Sequence, residues 1–376
     1  MKRVDLVFFD AGGGHRGAAT ALKSVIEKQG RPWSARLVNL QEILDPIDIL
    51  RRFTGLRVQD FYNLMLGNGW TLGMTQTLKL LHAAVKAFHE KQVRLLVKHW
   101  TVNPADLVVS LAPHFNRAMY EAVRQALPHA PYATLITDFA DYPPHFWIER
   151  QPQYYICGSD LAVEQARRMG QPEDRVFRVS GMILNPKFYE LPPMDRAAER
   201  LKQGLSPEWP VGLVLFGGAG SAAMAEIARR LDASGLMVQL IMVCGRNDTL
   251  AAMIRRRMRR LKALILGFTS EVPYYMRLAD FFIGKPGPGS LSEAMEMSLP
   301  VIIERNRTTM PQERYNAQWV KEKQVGLVVG SFRQIARAVE ELLAPENYSR
   351  FRANAAALHN RALFEVPDIL ERILKA

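Results

Sequence analysis

Short apolar runs alternate with amphipathic stretches along most of the chain. Residues 4–10 form an apolar run that is too short for a helix, and residues 18–29 carry apolar side chains at helical spacing up to Gly30. Residues 35–40 form the next apolar run, and this strand–helix–strand opening predicts a parallel sheet of the Rossmann type. Further strands are predicted at residues 106–111, 132–139, 153–159 and 176–181, and helices at 115–127 and 160–169.

The second half repeats this alternation of apolar runs and amphipathic stretches after a segment of different composition. Residues 185–210 contain five prolines around a short charged helix, which indicates a domain boundary. Strands are then predicted at residues 211–216, 238–245, 263–268, 280–283, 300–304 and 326–329, and helices at 222–231, 248–261, 272–278, 312–323 and, to the end of the chain, within 332–375. We therefore expect an α/β fold with two Rossmann-like, doubly wound domains facing each other across a cleft.

Residues 45–100 interrupt this α/β rhythm. Aromatic and aliphatic side chains crowd the first part of the stretch, and lysines and arginines follow on a helix that also presents apolar residues. Such an insertion is either a packed helical subdomain or a surface that dips into lipid, because a basic amphipathic helix suits anionic headgroups. The pattern leaves both interpretations open.

Composition adds a strong basic excess to this picture. The chain has 376 residues, is 48% hydrophobic and carries a formal net charge of +12, which favours an anionic partner over plain solubility as the explanation. Its two cysteines, Cys157 and Cys244, lie far apart and show no zinc spacing, so we expect buried thiols in a reducing compartment. No signal peptide and no apolar run of spanning length are recognised, which predicts a cytoplasmic protein able to visit a membrane surface.

The stretch from 280 to 300, D-F-F-I-G-K-P-G-P-G-S-L-S-E-A-M-E-M-S-L-P, reads as a buried strand, a glycine–proline loop and a helix start. Ser290 is expected to cap this helix, with Glu293 three residues later as in a capping box. A helix that opens from such a loop points free N–H groups and a positive dipole end at its surroundings, and it is a ready site for phosphate. The alternative is that Ser290 and Glu293 only cap a helix.

The loop at residues 11–17, A-G-G-G-H-R-G, follows the first strand. It formally satisfies the G-x-G-x-x-G spacing of dinucleotide sites, which is a weak signal here because no acidic residue stands cleanly at the end of the second strand. The loop also carries His15, which at a helix start can contact phosphate, position an acceptor or act as a base. The plainer alternative is a surface histidine beside a glycine turn.

Carboxylates follow the predicted strand 132–139, at the edge where α/β sheets bind ligands. Asp138 and Asp141 stand there in T-D-F-A-D, and His145 and Trp147 come shortly after. For each carboxylate the alternative is a turn or helix-cap residue.

The second half offers a nucleotide site. The loop 217–221 and residues 288–290 each present backbone N–H groups at a helix start and can together hold a diphosphate without a metal. No Asp-x-Asp pair occurs in the sequence, so we expect no metal. Glu293 can accept hydrogen bonds from two ribose hydroxyls, and Gln312, Glu313 and Asn316 suit sugar hydroxyls, unless they only complement a helix dipole.

The order of these motifs resembles the inverting GT-B glycosyltransferases that glycosylate lipids. It runs A-G-G-G-H-R, T-D-F with a downstream aromatic residue, G-G-A-G-S, K-P-G-P-G-S-L-S-E-A and P-Q-E-R-Y-N. The branch that it resembles most contains the monogalactosyldiacylglycerol synthases and the processive diacylglycerol glucosyltransferases; the lipid-linked N-acetylglucosaminyltransferase of peptidoglycan synthesis is similar more distantly. The resemblance spans residues 4–329, and the second-half motifs are specific in combination.

This resemblance implies a donor domain in the second half, with UDP-glucose or UDP-galactose as co-substrate and no cofactor. It implies a diphosphate held by Gly218, Ala219, Gly220, Ser221, Gly287, Pro288, Gly289 and Ser290. Glu293 would bind ribose, the backbone around Phe268 would contact uracil, and Gln312, Glu313 and Asn316 would bind the sugar.

The first half is then implied to take a lipid acceptor at an anionic membrane surface, with residues 45–100 at the membrane. A base must take the acceptor proton; His15 and Asp138 are the candidates, and His15 is slightly favoured. The acceptor side is expected to include Gly13, Gly14, Asp141, His145 and Trp147.

The implied domains are residues 1–188, with the insertion 45–100, then 189–345, and the final helices 346–376 packing back on the first domain. The protein is expected at the inner face of the membrane, without a nucleic-acid partner. At 181–186 the sequence reads G-M-I-L-N-P where the family commonly has G-x-P-I-R-P, so an acceptor other than diacylglycerol stays open. An NAD-linked enzyme and a non-catalytic membrane- or nucleic-acid-binding protein of the same fold compete with this interpretation.

Overall fold

The computed structural model of the protein describes residues 1–10, 13–48, 57, 83, 85–143 and 145–376. The described chain divides into two compact units. The first contains the described residues up to Pro186 together with Asn360–Ala376, and the second contains Lys187–His359. Each unit is built on a six-stranded sheet.

The sheet of the first unit is entirely parallel and has the strand order β2-β1-β3-β4-β5-β6. Helices separate its strands, as the alternating apolar pattern predicts, except between β4 and β5. The elements are β1 (Lys2–Phe8), α1 (Gly14–Lys28), β2 (Trp33–Asn39), α2 (Leu40–Leu44), α3 (His89–Val102), β3 (Leu107–Leu111), α4 (Asn116–Ala126), β4 (Tyr132–Ile136), β5 (Tyr154–Cys157), α5 (Asp160–Arg168) and β6 (Val176–Arg178).

The sheet of the second unit is also parallel, with the order β12-β11-β10-β7-β8-β9. Its elements are α6 (Arg196–Lys202), β7 (Val211–Leu215), α7 (Ala222–Asp232), β8 (Gln239–Val243), α8 (Asp248–Arg257), β9 (Ala263–Leu266), α9 (Val272–Leu278), β10 (Phe281–Gly284), α10 (Pro288–Glu296), β11 (Val301–Glu304), α11 (Arg314–Glu322), β12 (Gly326–Val329), α12 (Ile335–Leu343) and α13 (Pro345–Ala356). This is the strand order of the Rossmann fold, with its topological switch point between β7 and β10.

The strands are apolar because helices cover both faces of each sheet. Every residue of β3, β4, β7, β8 and β10 is buried. Continuous apolar runs of four to five residues are typical of such parallel strands. All twelve strands of the described chain overlap the predicted ones, which confirms the α/β fold, although most are one to three residues shorter.

One charged group is part of the core of the first unit. Asp5 on β1 is fully buried, and its carboxylate accepts two hydrogen bonds from Arg36 on β2, at 2.8 and 2.9 Å. The indole of Trp100 donates a third hydrogen bond at 3.1 Å and thereby ties α3 to the sheet. Val93 and Leu96 on α3 are also buried, so this part of the predicted insertion is packed core rather than a free membrane surface. Residues 49–56, 58–82 and 84 of that insertion lie outside the described residues.

The last helix, α14 (Ala362–Lys375), belongs to the first unit. Leu370 and Ile373 share a core with Leu22 and Ile26 of α1. The expectation that all of residues 346–376 pack on the first domain is wrong for α13, which lies in the second unit and contributes Phe351 to that unit's core. The chain passes to the first unit at Asn360.

Two features expected from composition can be compared with the structure. Cys157 and Cys244 are free and buried, as predicted, and burial raises the pKa of Cys157 to about 12. Among the described residues, no helix has both the length and the apolar character needed to cross a bilayer.

Candidate active site

The loop after β7 is shaped by glycine. Gly217 and Gly220 have φ values of 81° and 65°, which other residues rarely adopt. Ser221 ends the loop and caps α7, because its Oγ accepts a hydrogen bond from the N–H of Ala223 at 3.3 Å. A β-carbon built on Gly218 would meet no neighbouring heavy atom within 4 Å, so the backbone of this loop is open to a ligand.

The segment after β8 braces this loop from behind. The N–H of Arg246 donates to the carbonyl of Gly218 at 2.9 Å, and the side chain of Asn247 donates to the carbonyl of Ala219 at 3.4 Å. Gly245 makes this approach possible, since a β-carbon there would lie 2.2 Å from the Gly218 carbonyl oxygen. The sequence predictions did not include Gly245; its place at the end of the predicted strand 238–245 was the available signal.

The second loop joins β10 to α10 and differs from the expected capping box. The helix begins at Pro288 with Gly287 as its N-cap residue, and no side chain caps it. Ser290 therefore lies inside the first turn, where its Oγ donates to the carbonyl of Gly287 at 3.4 Å. The predicted N-cap is wrong because proline, which needs no N–H partner, starts the helix three residues earlier than a cap at Ser290 would. A β-carbon on Gly289 would meet no neighbouring heavy atom within 4 Å.

Asn316 holds this second loop in place. Its side chain is fully buried and donates a hydrogen bond to the carbonyl of Pro286 at 2.7 Å. The contact of Asn316 with the sugar stays a prediction. In the structure its amide nitrogen positions the loop, and its Oδ1 is buried without a hydrogen-bond partner among the described residues. Sequence reasoning placed it on the correct helix face but could not identify its partner.

Gln312 and Glu313 lie in a short 3₁₀ turn just before α11, and both are buried. The Glu313 carboxylate forms an ion pair with Lys285 of the second loop at 2.9 Å. Lys285 was not among the predicted site residues, although it stands in K-P-G-P-G. The pair brings one cation and one carboxylate to the start of α10.

Glu293 is the sixth residue of α10 and is half-buried. Burial raises the pKa of its carboxyl to about 7, and no described residue makes a hydrogen bond or an ion pair with it. A buried carboxyl group of this kind is rare unless a ligand compensates it.

Phe268 follows β9 and is 63% exposed, which is unusual for a large aromatic side chain. The guanidinium of Arg246 lies over its ring at 5.1 Å from the centroid. Both residues lie in loops that leave the carboxyl edge of the sheet. An exposed ring beside an arginine can receive a flat, polar ligand by stacking.

The two glycine loops leave neighbouring strands at the switch point. Leu215 at the end of β7 pairs with Gly284 at the end of β10, so the loops start side by side. Each leads directly into a helix, and the two helix starts bring free N–H groups and positive dipole ends to one edge of the sheet. The arrangement can bind a diphosphate with Glu293 beside it.

His15 is the main candidate in the first unit. It lies in the first turn of α1, and its Nδ1 is 2.9 Å from Oγ1 of Thr137 after β4. Burial lowers the pKa of His15 to about 4, against a weaker opposing effect of Asp10. The imidazole is therefore neutral at pH 7, and a neutral imidazole can accept a proton. Gly14 opens α1 after the N-cap residue Gly13, so both glycines stand beside His15.

Asp138 and Trp147 form a buried pair near His15. The indole of Trp147 donates to Asp138 at 2.9 Å, and its ring makes an edge contact with His15 at 5.7 Å between centroids. Trp147 is fully buried. Its place on the acceptor side stays a prediction; in the structure its ring packs against His15 and its indole N–H occupies one oxygen of Asp138.

Asp141 also has a role in the fold. Its carboxylate accepts hydrogen bonds from the N–H groups of Trp147 and His145, at 2.6 and 3.0 Å. It is buried, and burial raises its pKa while these hydrogen bonds oppose the rise. Both oxygens of Asp141 hold the turn, which agrees with the alternative of a turn residue; the acceptor-side role of Asp141 stays a prediction.

His145 itself is exposed and lines a groove of the first unit with a volume of about 970 Å³. The groove is formed by the start of α3, by α4 and by the segment around Glu149. Burial raises the pKa of Glu149, and His89 lies 2.6 Å from Glu121 on its wall. His145 therefore lies on the wall of a groove that is also lined by cationic and carboxylate side chains.

Comparisons with known proteins agree with this architecture. Residues 213–373 match the glycosyltransferase family 28 C-terminal domain. The chloroplastic monogalactosyldiacylglycerol synthase of Spinacia oleracea is 25% identical over 401 aligned positions, covering 100% of this chain and 73% of that protein. The matched domain contains both glycine loops, Phe268 and Glu293.

Solved structures have the same fold. MurG of Acinetobacter baumannii matches with a TM-score of 0.61 and 13% identity, covering 99% of this chain and 100% of that one. HepE of Anabaena, solved in complex with UDP and glucose, matches with a TM-score of 0.56 and 15% identity over 100% of both chains. The chain thus has the GT-B fold, resembles the monogalactosyldiacylglycerol synthases along its whole length, and carries a region like the C-terminal domain of family 28 glycosyltransferases, which together support a glycosyltransferase.

Proposed function

We propose that the protein is an inverting glycosyltransferase that moves a hexose from UDP-glucose or UDP-galactose to the hydroxyl of a membrane lipid, with diacylglycerol as the first candidate acceptor. The observation that carries this proposal is the meeting of two open glycine loops at the switch point of the second sheet, beside the uncompensated carboxyl group of Glu293. The similarity to a monogalactosyldiacylglycerol synthase supports the choice of acceptor.

In this proposal the second unit binds the donor. The N–H groups at the starts of α7 and α10 hold the diphosphate, and Phe268 stacks near the uracil of the donor. The ribose hydroxyls donate to Glu293, which is ionised in the complex because these hydrogen bonds favour the charged form. Gln312 and Glu313 bind the sugar, and Lys285 adds a positive charge next to the diphosphate loop.

His15 is the proposed base. Its Nδ1 is engaged with Thr137, so the tautomer that carries hydrogen on Nδ1 presents a lone pair on Nε2. Nε2 removes the proton from the acceptor hydroxyl as its oxygen attacks the anomeric carbon. Asp138 is less suited to this role, since it is buried and accepts a hydrogen bond from Trp147.

The leaving group is UDP, and its developing negative charge needs stabilisation as the glycosidic bond breaks. The fixed dipoles at the two helix starts supply it without a metal ion in this proposal. Because the dipoles are held by Asn316 and by the brace around Gly245, they need little rearrangement during the reaction.

A second candidate differs in the acceptor. The segment at 181–186 departs from the pattern of the diacylglycerol branch. It is held in place by Asn360, which lies just before α14. Asn360 donates to the carbonyl of Met182 at 2.8 Å, and a β-carbon on Gly181 would lie 2.7 Å from Asn360. This departure favours another lipid-linked hydroxyl, of the peptidoglycan-precursor type, as the alternative acceptor.

We place the enzyme at the cytoplasmic face of a membrane. Its acceptor is insoluble in water, and the formal charge of +12 favours an anionic surface. The proposed contact of the first unit with lipid is the part of the insertion that precedes α3.

The test is UDP release from UDP-glucose and from UDP-galactose, in anionic vesicles with and without diacylglycerol. We expect release with one donor that depends on diacylglycerol. The matched control is His15→Ala, which should bind UDP normally and release it from the UDP-sugar at least about a hundredfold more slowly. Donor binding without release in any vesicle would move the acceptor to another lipid, and the absence of donor binding would leave a non-catalytic protein of this fold.

A further inference from the structure

A dense cluster of cations lies in the second unit, outside the candidate donor site. Residues 255–262, R-R-R-M-R-R-L-K, contain no acidic residue and contribute +6 to the chain's formal charge of +12. We propose that this basic cluster binds the anionic surface of a membrane and holds the donor-binding unit there. Its cationic members, all exposed, are Arg255, Arg256, Arg257, Arg259, Arg260 and Lys262.

The cluster lies at the edge of the sheet opposite to the donor loops. Helix α8 starts after the carboxyl end of β8 and ends at Arg257, and the chain then turns into the amino end of β9. The carbonyl of Lys262 accepts a hydrogen bond from Leu240 near the start of β8, at 3.1 Å. The glycine loops leave the carboxyl ends of β7 and β10, so a surface bound at the cluster does not cover them.

The turn that carries the cluster is held by Asp232 at the end of α7. The carboxylate of Asp232 accepts hydrogen bonds from the N–H groups of Arg259, Arg260 and Leu261, at 3.1, 2.8 and 2.7 Å from Oδ1. Because its oxygens bind backbone groups, this carboxylate fixes the turn and leaves the guanidinium groups directed to solvent.

No side-chain ion pair neutralises the cluster within the described residues, although the Asp232 carboxylate interacts electrostatically with Arg260. Arg255 donates to the carbonyl of Ile265 at 2.8 Å, and the side chains of the other five cluster cations make no hydrogen bond or ion pair within the described part of the chain. On an ordinary solvated helix face of this protein, arginines form ion pairs with neighbouring carboxylates. On α7, Arg229 and Arg230 both pair with Glu226, at 2.8 and 2.7 Å.

Apolar side chains among these cations favour lipid over nucleic acid. Met258 and Leu261 are half-buried between the arginines, and Met237 at the same sheet edge is 61% exposed. The segment 255–262 contains no aromatic residue on which a base could stack. Long cations around flexible apolar side chains match the headgroup region of an anionic bilayer. This choice rests on the proposed lipid acceptor, which brings the enzyme to a membrane.

The test compares vesicle binding of the full chain and of Arg256→Gln/Arg257→Gln/Arg260→Gln. Vesicles of phosphatidylcholine, with and without phosphatidylglycerol, are sedimented with each protein at two salt concentrations. We expect partition onto the anionic vesicles to fall about fivefold for each cation removed, or about a hundredfold for three. The difference should shrink at high salt. Arg260→Gln alone should show the fivefold effect and serves as a milder variant.

The matched control is Lys321→Gln/Lys323→Gln/Arg337→Gln, which removes the same charge from exposed positions of the same unit. We expect this control to bind anionic vesicles nearly as well as the natural chain. Equal losses in both triple variants would show that net charge, not the cluster, is responsible and would overturn the proposal. Unchanged vesicle binding of the cluster variants would also overturn it. The same holds if these variants lose affinity only for a short single-stranded oligonucleotide and not for vesicles.

UDP affinity separates this proposal from the proposed function. The cluster variants should bind UDP like the natural chain, because the altered side chains lie at the opposite sheet edge. A natural chain that binds anionic vesicles through the cluster but releases no UDP would refute the transferase and leave the membrane contact standing. Normal UDP release together with vesicle binding that does not depend on the cluster would support the transferase and refute the membrane contact.

Discussion

Glu293 offers the sharpest test of the donor site, because its pKa links ligand binding to pH. Burial raises this pKa to about 7 from the ordinary value of 4.5. If only the carboxylate accepts hydrogen bonds from ribose, about one tenth of the protein is competent at about pH 6 and about nine tenths at about pH 8. UDP affinity should therefore rise about tenfold across this interval.

Glu293→Gln keeps the size of the side chain and removes its charge. A hydrogen bond to a charged acceptor is stronger than one to a neutral amide by about 1 kcal/mol, so the variant should bind UDP about five- to tenfold more weakly at about pH 8. Near pH 6 the two proteins should differ little, since Glu293 is then mostly protonated.

The same substitution should change stability in the opposite direction. The folded state favours protonated Glu293, so this group's contribution is fully present below about pH 4.5 and is lost as the pH rises through about 7. The interval between 4.5 and about 7 corresponds to up to about 3 kcal/mol. Above about pH 7, Glu293→Gln should unfold at a higher denaturant concentration than the natural chain.

Calorimetric titration with UDP at several pH values measures the affinity, and urea unfolding at the same pH values measures the stability. UDP itself titrates in this range, so the affinity ratio of the natural chain to Glu293→Gln is the quantity to follow. Glu296→Gln, one turn further along α10, is the matched control and should leave that dependence intact. A ratio that does not change with pH would refute the ribose assignment.

Three further predictions concern the base and the loops. His15→Ala should lower turnover by about 10²- to 10⁴-fold with UDP affinity unchanged. Thr137→Val should lower turnover less. Normal turnover of His15→Ala would exclude His15 as the base. Gly289→Ala should keep or slightly raise the melting temperature, because alanine favours a helix, yet weaken UDP binding; Gly218→Ala should likewise weaken binding without loss of stability. Asn316→Ala should cost about 1–3 kcal/mol in urea unfolding and weaken UDP binding; an unchanged midpoint would mean that the loop needs no brace.

The sequence by itself determined the layered architecture. Parallel strands that are covered on both faces must be apolar throughout, so runs such as 211–216 and 280–283 were visible without any tertiary information. It also pointed to the two glycine loops and to Glu293, because local spacing shows where a helix opens after a strand. Helix boundaries were less certain: Pro288 rather than Ser290 begins α10, since a proline start competes with side-chain capping.

Only the tertiary structure decided which polar residues are engaged in holding the fold. Asn316, Asp141 and Trp147 carry groups that suit ligand binding, but each is buried and bonded to a partner distant in sequence or across a turn. His15 acquired its low pKa from burial, and its hydrogen-bond partner Thr137 is 122 residues away. Residue type and local spacing determine what a side chain can do, whereas burial and distant partners determine what it is free to do.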